Sequence, residues 1–362
     1  MQKILFCAST TSHIRNFHLP YIKALQECGY EVWVAANKKE DIPHTHQVES
    51  FPFSKSFLNI RNISCIFKLR KFLLIERFDK ISTHTTLAST IIRAAVLLMP
   101  KNMRPRVFYI SHGFLFHETD GLKKWIYLLP EKICTPVTNI LMVMNQEDLE
   151  IAQKHHLYKE QLHFINGIGF DSSKFKPLSL EVRVNERKAL GYSDKSYLFV
   201  YAAEFSKRKN QEFLIRAFAK AAPKIPHAHL LLAGTGALLE KCKLQAKELN
   251  IENQILFLGY VTEMDKLYPL CDAAVSSSKI EGLPFNILEA MSCGLPILIS
   301  DTKGHRDLVK SKKEFLFQTE QELSEKMIEY VLKREQQDDW IIEKERYEMK
   351  VIKKDIISIY NK

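Results

Sequence analysis

Residues 3–37 read KILFCASTTSHIRNFHLPYIKALQECGYEVWVAAN. Lys3–Ala8 is a nearly unbroken apolar run, the pattern of a strand buried on both faces. Phe17–Cys28 carries apolar residues at 17, 21, 22, 25 and 28, which is helical spacing, and Gly29 follows as a stop. Tyr30–Ala36 is strand-like again. Strand, helix and strand in this order predict a parallel pair with a crossover helix.

The same rhythm continues downstream. Strands are predicted at Lys80–His84, Val107–Ser111 and Ile140–Met144, with helices at Leu87–Leu98 and Leu122–Cys134 between them. A second series predicts strands at Tyr197–Ala202, His229–Ala233, Ile255–Leu258, Ala273–Ser276 and Pro296–Ser300. Its helices fall at Gln211–Ala222, Ala237–Leu249 and Phe285–Ser292, and Gln321–Tyr360 is helical in composition. Ile165–Pro177, INGIGFDSSKFKP, is rich in turn formers and marks the junction. The 362 residues therefore divide into two doubly wound α/β domains, and a ligand cleft between them is expected at the carboxyl ends of the strands.

Composition removes several classes. With 46% hydrophobic and 26% charged residues the chain is globular, neither disordered nor a disulfide miniprotein. Net charge is +10, and Met1–Pro130 holds 18 basic against 9 acidic residues, so the surplus lies in the N-terminal third. An anionic partner or simply a solvated face accounts for it. The seven cysteines are scattered and never spaced CxxC, which predicts free thiols, a reducing compartment and no zinc site. The N-terminus lacks a signal peptide's apolar region. The most apolar window, Leu87–Met99, is broken by Arg93, so no membrane span is expected and the chain reads as cytoplasmic.

The richest stretch for chemistry is Ser278–Gly294, SKIEGLPFNILEAMSCG. Pro284 suits a first helical turn, which puts Glu281 at the helix mouth and Glu289 on its second turn. Amides near Leu283, Phe285 and Asn286 would face an anion there. A diphosphate on the amides and sugar hydroxyls on the carboxylates would fit a nucleotide sugar. The plain alternative is an amphipathic helix with two exposed glutamates. Ala233-Gly234-Thr235-Gly236 joins a strand to a helix, and its glycines would allow a ligand close to the backbone. His13 and Arg15 lie in the first strand-to-helix loop, and His84 and His112 end successive strands, all at the expected cleft edge.

EGLPFNILEAMSCGLPILISD resembles the donor motif of family-four glycosyltransferases, two glutamates eight apart followed by Ala-Met-x-Cys-Gly-x-Pro. STTSHIRNFHLPYIKALQECGYEVWVAAN, SHGFLFH and SKRKNQEFLIRAF resemble capsule and exopolysaccharide members. The resemblance implies a GT-B fold, two Rossmann-like domains facing across a cleft. It implies an acceptor-binding domain over 1–168, a nucleotide-sugar-binding domain over 169–340, and a helix at 341–362 packing back on the N-terminal domain. By resemblance Glu289 binds the nucleotide ribose, Glu281 lies near the donor hexose, and Lys209 neutralises the diphosphate. Glu204 stands where the family has an arginine, and Arg208 or Lys207 would supply that charge. Gly234 and Gly236 would wall the nucleotide pocket. His112 matches a histidine near donor sugar and acceptor, with His13, Arg15 and His84 on the acceptor side.

The implied reaction is retaining transfer of a hexose or N-acetylhexosamine from a nucleotide sugar, a UDP-sugar by analogy with capsule-type relatives, to a lipid-linked saccharide. It needs no metal and no cofactor. Asp338-Asp339 reads as solvated charge. Lys55–Arg77, KSFLNIRNISCIFKLRKFLLIER, together with Lys101–Arg106 and Lys123-Lys124, is either a surface for anionic lipid or a core-facing helix with solvated cations. Competing readings are a nucleotide-sugar epimerase or hydrolase on the same fold, a glycosidase using Glu281 and Glu289, and a basic nucleic-acid-binding protein. No helix-turn-helix, zinc-finger or base-stacking pattern supports the last of these, so no nucleic acid partner is expected.

Overall fold

The computed structural model describes residues 1–53, 59–310, 312, 314–333 and 344–361. Residues 55–58 of the basic segment and Asp338-Asp339 lie outside them. The chain forms two compact units, Met1–Gly169 with Met349–Lys362, and Phe170–Glu348.

The first unit holds seven parallel strands: β1 (Lys3–Cys7), β2 (Glu31–Ala36), β3 (Gln47–Ser50), β4 (Lys80–His84), β5 (Arg106–Ile110), β6 (Ile140–Val143) and β7 (Gln161–Phe164). Their order is β3-β2-β1-β4-β5-β6-β7. Ile4 pairs with Val32 on one side and Lys80 on the other. The winding direction reverses between β1 and β4, and side chains at the carboxyl ends of those strands therefore flank a crevice. The second unit holds β8 (Tyr197–Ala202), β9 (Ala228–Ala233), β10 (Ile255–Gly259), β11 (Ala273–Ser276), β12 (Ile297–Ser300) and β13 (Leu316–Phe317). Their order, β10-β9-β8-β11-β12-β13, reverses between β8 and β11. Both sheets are parallel throughout, so each presents one such switch point.

Burial of continuous apolar strands on both faces is what drives this architecture. Phe199, Val200, Leu230 and Val275 are fully buried, as are Leu5, Phe6 and Ile81 in the first sheet. Arg93, which interrupts the apolar window at 87–99, is buried too. It donates to Glu131 at 2.8 Å and Thr138 at 3.1 Å, and lies over the Tyr109 ring. A buried ion pair of this kind fixes the mutual placement of helices Thr86–Leu97 and Trp125–Cys134, because either charge alone would be costly there.

The terminal helix Met349–Tyr360 belongs to the first unit, where it packs on helix Leu19–Glu27. Lys80 Nζ donates to the Tyr360 carbonyl at 2.6 Å and to the Tyr30 hydroxyl at 2.8 Å. The Tyr360 hydroxyl bonds Ser82 Oγ, which meets His84 Nε2 at 2.9 Å.

Departures from the sequence reading have local causes. The helix expected at Phe17–Cys28 runs over Leu19–Glu27, and a separate short helix, Thr11–Phe17, precedes it. His18 ends the short helix, and Pro20 fixes the start of the longer one. Pro284 caps helix Phe285–Ser292 from outside rather than opening its first turn. The edge strands β3, β7 and β13 carry short or polar sequences, QVES, QLHF and LF, which have no continuous apolar run. The stretch expected as helical over 321–360 contains helices Glu320–Leu332 and Met349–Tyr360. All seven cysteines are free, and Cys28 alone is exposed.

Candidate functional site

The second switch point is built by the loop after β8 and the loop after β11. Tyr201, at the end of β8, donates to or accepts from Ser278 Oγ at 2.8 Å and donates to the Lys209 carbonyl at 3.0 Å. Ser277 Oγ reaches the carbonyls of Lys209 and Asn210, both at 3.0 Å, and the Lys279 N–H donates to the Arg208 carbonyl at 2.9 Å. Asn210 takes a left-handed conformation, φ 57, which turns the chain into helix Gln211–Ala221. The backbone of 208–210 is thereby stitched to 277–280, and Lys209 is aimed at Glu281.

Lys209 Nζ donates to Glu281 Oε1 at 2.5 Å, and Arg208 Nη1 lies 3.4 Å from Glu281 Oε2. Glu281 is buried. Burial alone would raise its pKa, but Lys209 and Arg208 outweigh that and hold it at about 2. Burial pulls the Lys209 ammonium downward while Glu281 pulls it back up. Since Glu281 is a ready anion beside it, the pair is charged. Glu289 has the opposite environment. It sits on helix Phe285–Ser292, is half-buried, and its carboxyl makes no hydrogen bond among the described residues. Burial, with some repulsion from Asp265, pushes its pKa up to about 7. Beside it the buried Tyr268 hydroxyl also lacks a partner. The two glutamates, alike in sequence, are a committed counter-ion and an unsatisfied acceptor.

Gly234 and Gly236 are required by the chain's own packing. A Cβ on Gly234 would stand 2.0 Å from the Ala203 carbonyl oxygen, and one on Gly236 would stand 2.5 Å from that of Phe205. Their φ values, 144 and 151, also suit glycine. They let the end of β9 close on the loop after β8, where the Phe205 N–H donates to the Thr235 carbonyl at 2.9 Å. The close approach is to the chain's own backbone.

His305 belongs to this site and was missed. It is fully buried, its Nδ1 lies 2.9 Å from the Ser300 carbonyl, and its Nε2 has no partner. Burial lowers its pKa to about 4, while Glu281 acts to raise it. Gly304 lets the chain pass the Glu281 and Gly282 carbonyls, which would meet a Cβ at 2.9 and 2.6 Å. A lone histidine after a strand, with no motif around it, gives the sequence reader no signal. Leu283 is buried, Phe285 and Asn286 are half-buried at the helix mouth, and Glu204 is exposed.

The first switch point gathers histidines. His13 lies in helix Thr11–Phe17, His18 closes it, His84 ends β4 and His112 follows β5. Ring centroids are 4.8 Å apart for His13 and His112, 5.2 Å for His13 and His18, and 3.7 Å for His18 and His84. Desolvation keeps all four well below the usual histidine range, His13 at about 4, so they are neutral imidazoles. Of the expected acceptor-side residues, His13 and His112 are only half-buried. His84 is fully buried behind His18 and stacks on Phe6, which removes it from the edge. Arg15 is drawn away from the cluster: its guanidinium bonds the Asp41 carbonyl and lies 3.9 Å from Glu40. The loop is no glycine-rich phosphate cradle either. The amides of Ser9, Thr11 and His13 donate to Thr85, Asn37 and Thr10 side chains at 3.0, 3.1 and 3.2 Å. A further basic cavity, of about 510 Å³ between Lys101, Arg104 and Arg106, opens at the amino ends of β5 and β6, away from the switch point.

Two family descriptions match the chain, "Glycosyl transferase 4-like" over residues 3–144 and "Glycosyl transferases group 1" over residues 182–347. Over 310 residues the chain is 32% identical to EpsD of Bacillus subtilis (strain 168), itself provisionally described as a glycosyltransferase, covering 85% of this chain and 81% of that one. It is 29% identical over 262 residues to the UDP-Gal:alpha-D-GlcNAc-diphosphoundecaprenol alpha-1,3-galactosyltransferase of Escherichia coli, covering 70% of this chain and 65% of that one. Among solved structures, Anabaena HepE in complex with UDP and glucose matches over the full length of both chains, with a TM-score of 0.75 at 20% identity. That likeness is one of fold, the two-domain GT-B architecture.

Proposed function

The chain belongs to the family-four glycosyltransferases, and we propose that it moves a hexose or N-acetylhexosamine from a UDP-sugar to a lipid-linked saccharide, with retention, in surface polysaccharide synthesis. The observation that carries the reading is the charge arrangement at the second switch point. A half-buried Lys209, seconded by Arg208, stands beside a helix mouth, and Glu289 waits on that helix without a side-chain partner.

The uridine ribose diol donates to Glu289, whose desolvated carboxylate gains most from such donors. The diphosphate meets Lys209, Arg208 and the first turn of helix Phe285–Ser292. As the anomeric carbon–oxygen bond breaks, negative charge grows on the leaving phosphate, and these cations stabilise it without a metal at the diphosphate. The acceptor hydroxyl forms the new bond on the same face, its proton passing to a donor phosphate oxygen. Glu281 holds Lys209 in place as its counter-ion. The first unit, with His13 and His112 at its switch point, receives the acceptor. The undecaprenol-linked substrate in the Escherichia coli relative's name and the UDP bound to HepE support the acceptor and donor classes.

Purified protein incubated with UDP-, GDP- and dTDP-sugars and a polyprenyl-diphosphate-linked monosaccharide should extend the lipid only with a UDP donor, with the donor's anomeric configuration kept. Lys209→Met should lower kcat about 10²–10³-fold. Consumption of the UDP-sugar at full rate without acceptor would instead favour an epimerase or hydrolase.

Helix Trp125–Cys134 and the turn before it expose Leu122, Trp125, Ile126, Leu129 and Ile133 along one stripe, beside Lys123, Lys124 and Lys132. Helix Arg61–Glu76 exposes Ile63 and Phe67 opposite its buried Cys65, Leu69 and Leu73. No helix among the described residues is long and apolar enough to cross a membrane. These stripes support docking on an anionic bilayer surface, where the lipid-linked acceptor resides. Sedimentation with phosphatidylglycerol vesicles, lost on Trp125→Ser with Ile126→Ser, tests it; equal sedimentation of both proteins would refute it.

A further inference from the structure

We propose that His13, His18 and His112 form a binding site for a divalent transition metal of the zinc class at the first switch point. One ring nitrogen from each lies within 4.8 Å of the others. The Nε2 atoms of all three are buried and make no hydrogen bond. By comparison the Nε2 of the neighbouring His84 is bonded, to Ser82 Oγ at 2.9 Å. Here three imidazoles point unmet nitrogens into one small volume, with His18 only 1% exposed.

The ring spacing carries the argument further. A tetrahedral zinc ion about 2.0–2.1 Å from three imidazole nitrogens would place the ring centroids about 5.2 Å apart. The observed separations are 4.8, 5.2 and 5.7 Å. The rings therefore already stand at ligand spacing, and rotation about their terminal torsions brings the nitrogens inward. His13 and His112 are half-buried, so the volume between the rings borders solvent. An all-nitrogen set suits zinc, cobalt or nickel over magnesium or calcium. Three protein ligands leave a fourth position open for water or a substrate oxygen.

Support around the ligands is also present. His84 lies against His18, ring centroids 3.7 Å apart and tilted by 35°, and the chain His84, Ser82, Tyr360 ties that pair to the terminal helix. Such a backing orients a ligand ring. The role that resemblance gives His112 changes accordingly: it would reach the acceptor through the ion's open position. The site lies in the first unit, whereas Lys209 and Arg208 belong to the second.

The test uses the full chain freed of metal and titrated with Co²⁺. One equivalent should bind with the strong visible absorption of a four-coordinate ion. His13→Gln and His112→Gln should each weaken binding by more than about tenfold, while exposed His227→Gln should not. In the wild-type chain, which needs no variant to fold, one equivalent of Zn²⁺ should shield His13 and His112 from diethyl pyrocarbonate while His227 stays reactive. An absent four-coordinate spectrum, full binding by both variants, or unshielded His13 and His112 would overturn the assignment.

Discussion

Replacing Glu289 by glutamine should make the protein more stable and a poorer binder of nucleotide. The folded chain resists ionising this carboxyl, holding its pKa at about 7 against an ordinary 4.5. A carboxyl raised in this way costs stability as pH climbs: the unfolded chain loses the proton above 4.5, and the folded chain keeps it until about 7. That gap corresponds to about 3 kcal/mol, lowered to about 2–3 kcal/mol because the side chain is only half-buried. Glutamine escapes the penalty, so at about pH 8 its melting temperature should rise by about 5–10 °C. At about pH 5, where the folded carboxyl is neutral, the gain should shrink to below about 1 kcal/mol. Calorimetry at the two pH values reads the stability, and titration with UDP-sugar reads the affinity. The affinity should fall at least about tenfold, because the ribose loses a charged acceptor. A variant no more stable than wild type at high pH, or one that binds UDP-sugar as well as wild type, would refute the reasoning.

Wild-type affinity for UDP-sugar, whose diphosphate does not titrate near neutrality, should rise about tenfold per pH unit up to about pH 7 and then level off. In Glu289→Gln the profile should be flat, which isothermal titration across that range checks. Glu281→Gln leaves Lys209 and Arg208 facing a neutral amide and should cost about 3–5 kcal/mol in urea denaturation. The wild-type contribution of Glu281 is full above its ordinary 4.5 and disappears as pH falls toward about 2, so the variant's deficit should narrow in acid. Gly234→Ala drives a Cβ against the Ala203 carbonyl and should lower stability by more than about 2 kcal/mol, whereas Gly121→Ala, which meets open space, should cost only about 1 kcal/mol in the same assay.

Much of this molecule can be read from its residues, for physical reasons that vary by element. Central strands such as Lys3–Cys7 and Tyr197–Ala202 fall where the apolar runs place them, because burial on both faces favours apolar residues at nearly every position. The edge strands Gln47–Ser50 and Gln161–Phe164 escape notice because polar residues interrupt them, whereas the apolar edge strand Ile255–Gly259 is read. Helix Phe285–Ser292 and its two glutamates are legible as a motif, but their charge states are not. Glu281 and Glu289 part because Lys209 and Arg208, brought from another loop, outweigh burial at the first, while burial, with some repulsion from Asp265, goes unopposed at the second. The histidine cluster is hidden for the same reason. His13 and His18 are close in sequence, but His112 joins them only because β1, β4 and β5 lie side by side. Arg15 shows the reverse: expected in the first loop, it lies in helix Thr11–Phe17, and the nearby Asp41 carbonyl captures its side chain.

The return of helix Met349–Tyr360 to the first unit sets the order in which the protein can be completed. The second unit is contiguous and has all its strands by Phe317, so it can close while the ribosome is still at work. The first unit is translated earlier but lacks the partner of Lys80 and Ser82 until Tyr360 emerges. The domain born first is thus finished last, and until then the groove that Ile352, Ile356 and Ile359 will fill stands open to chaperones and proteases.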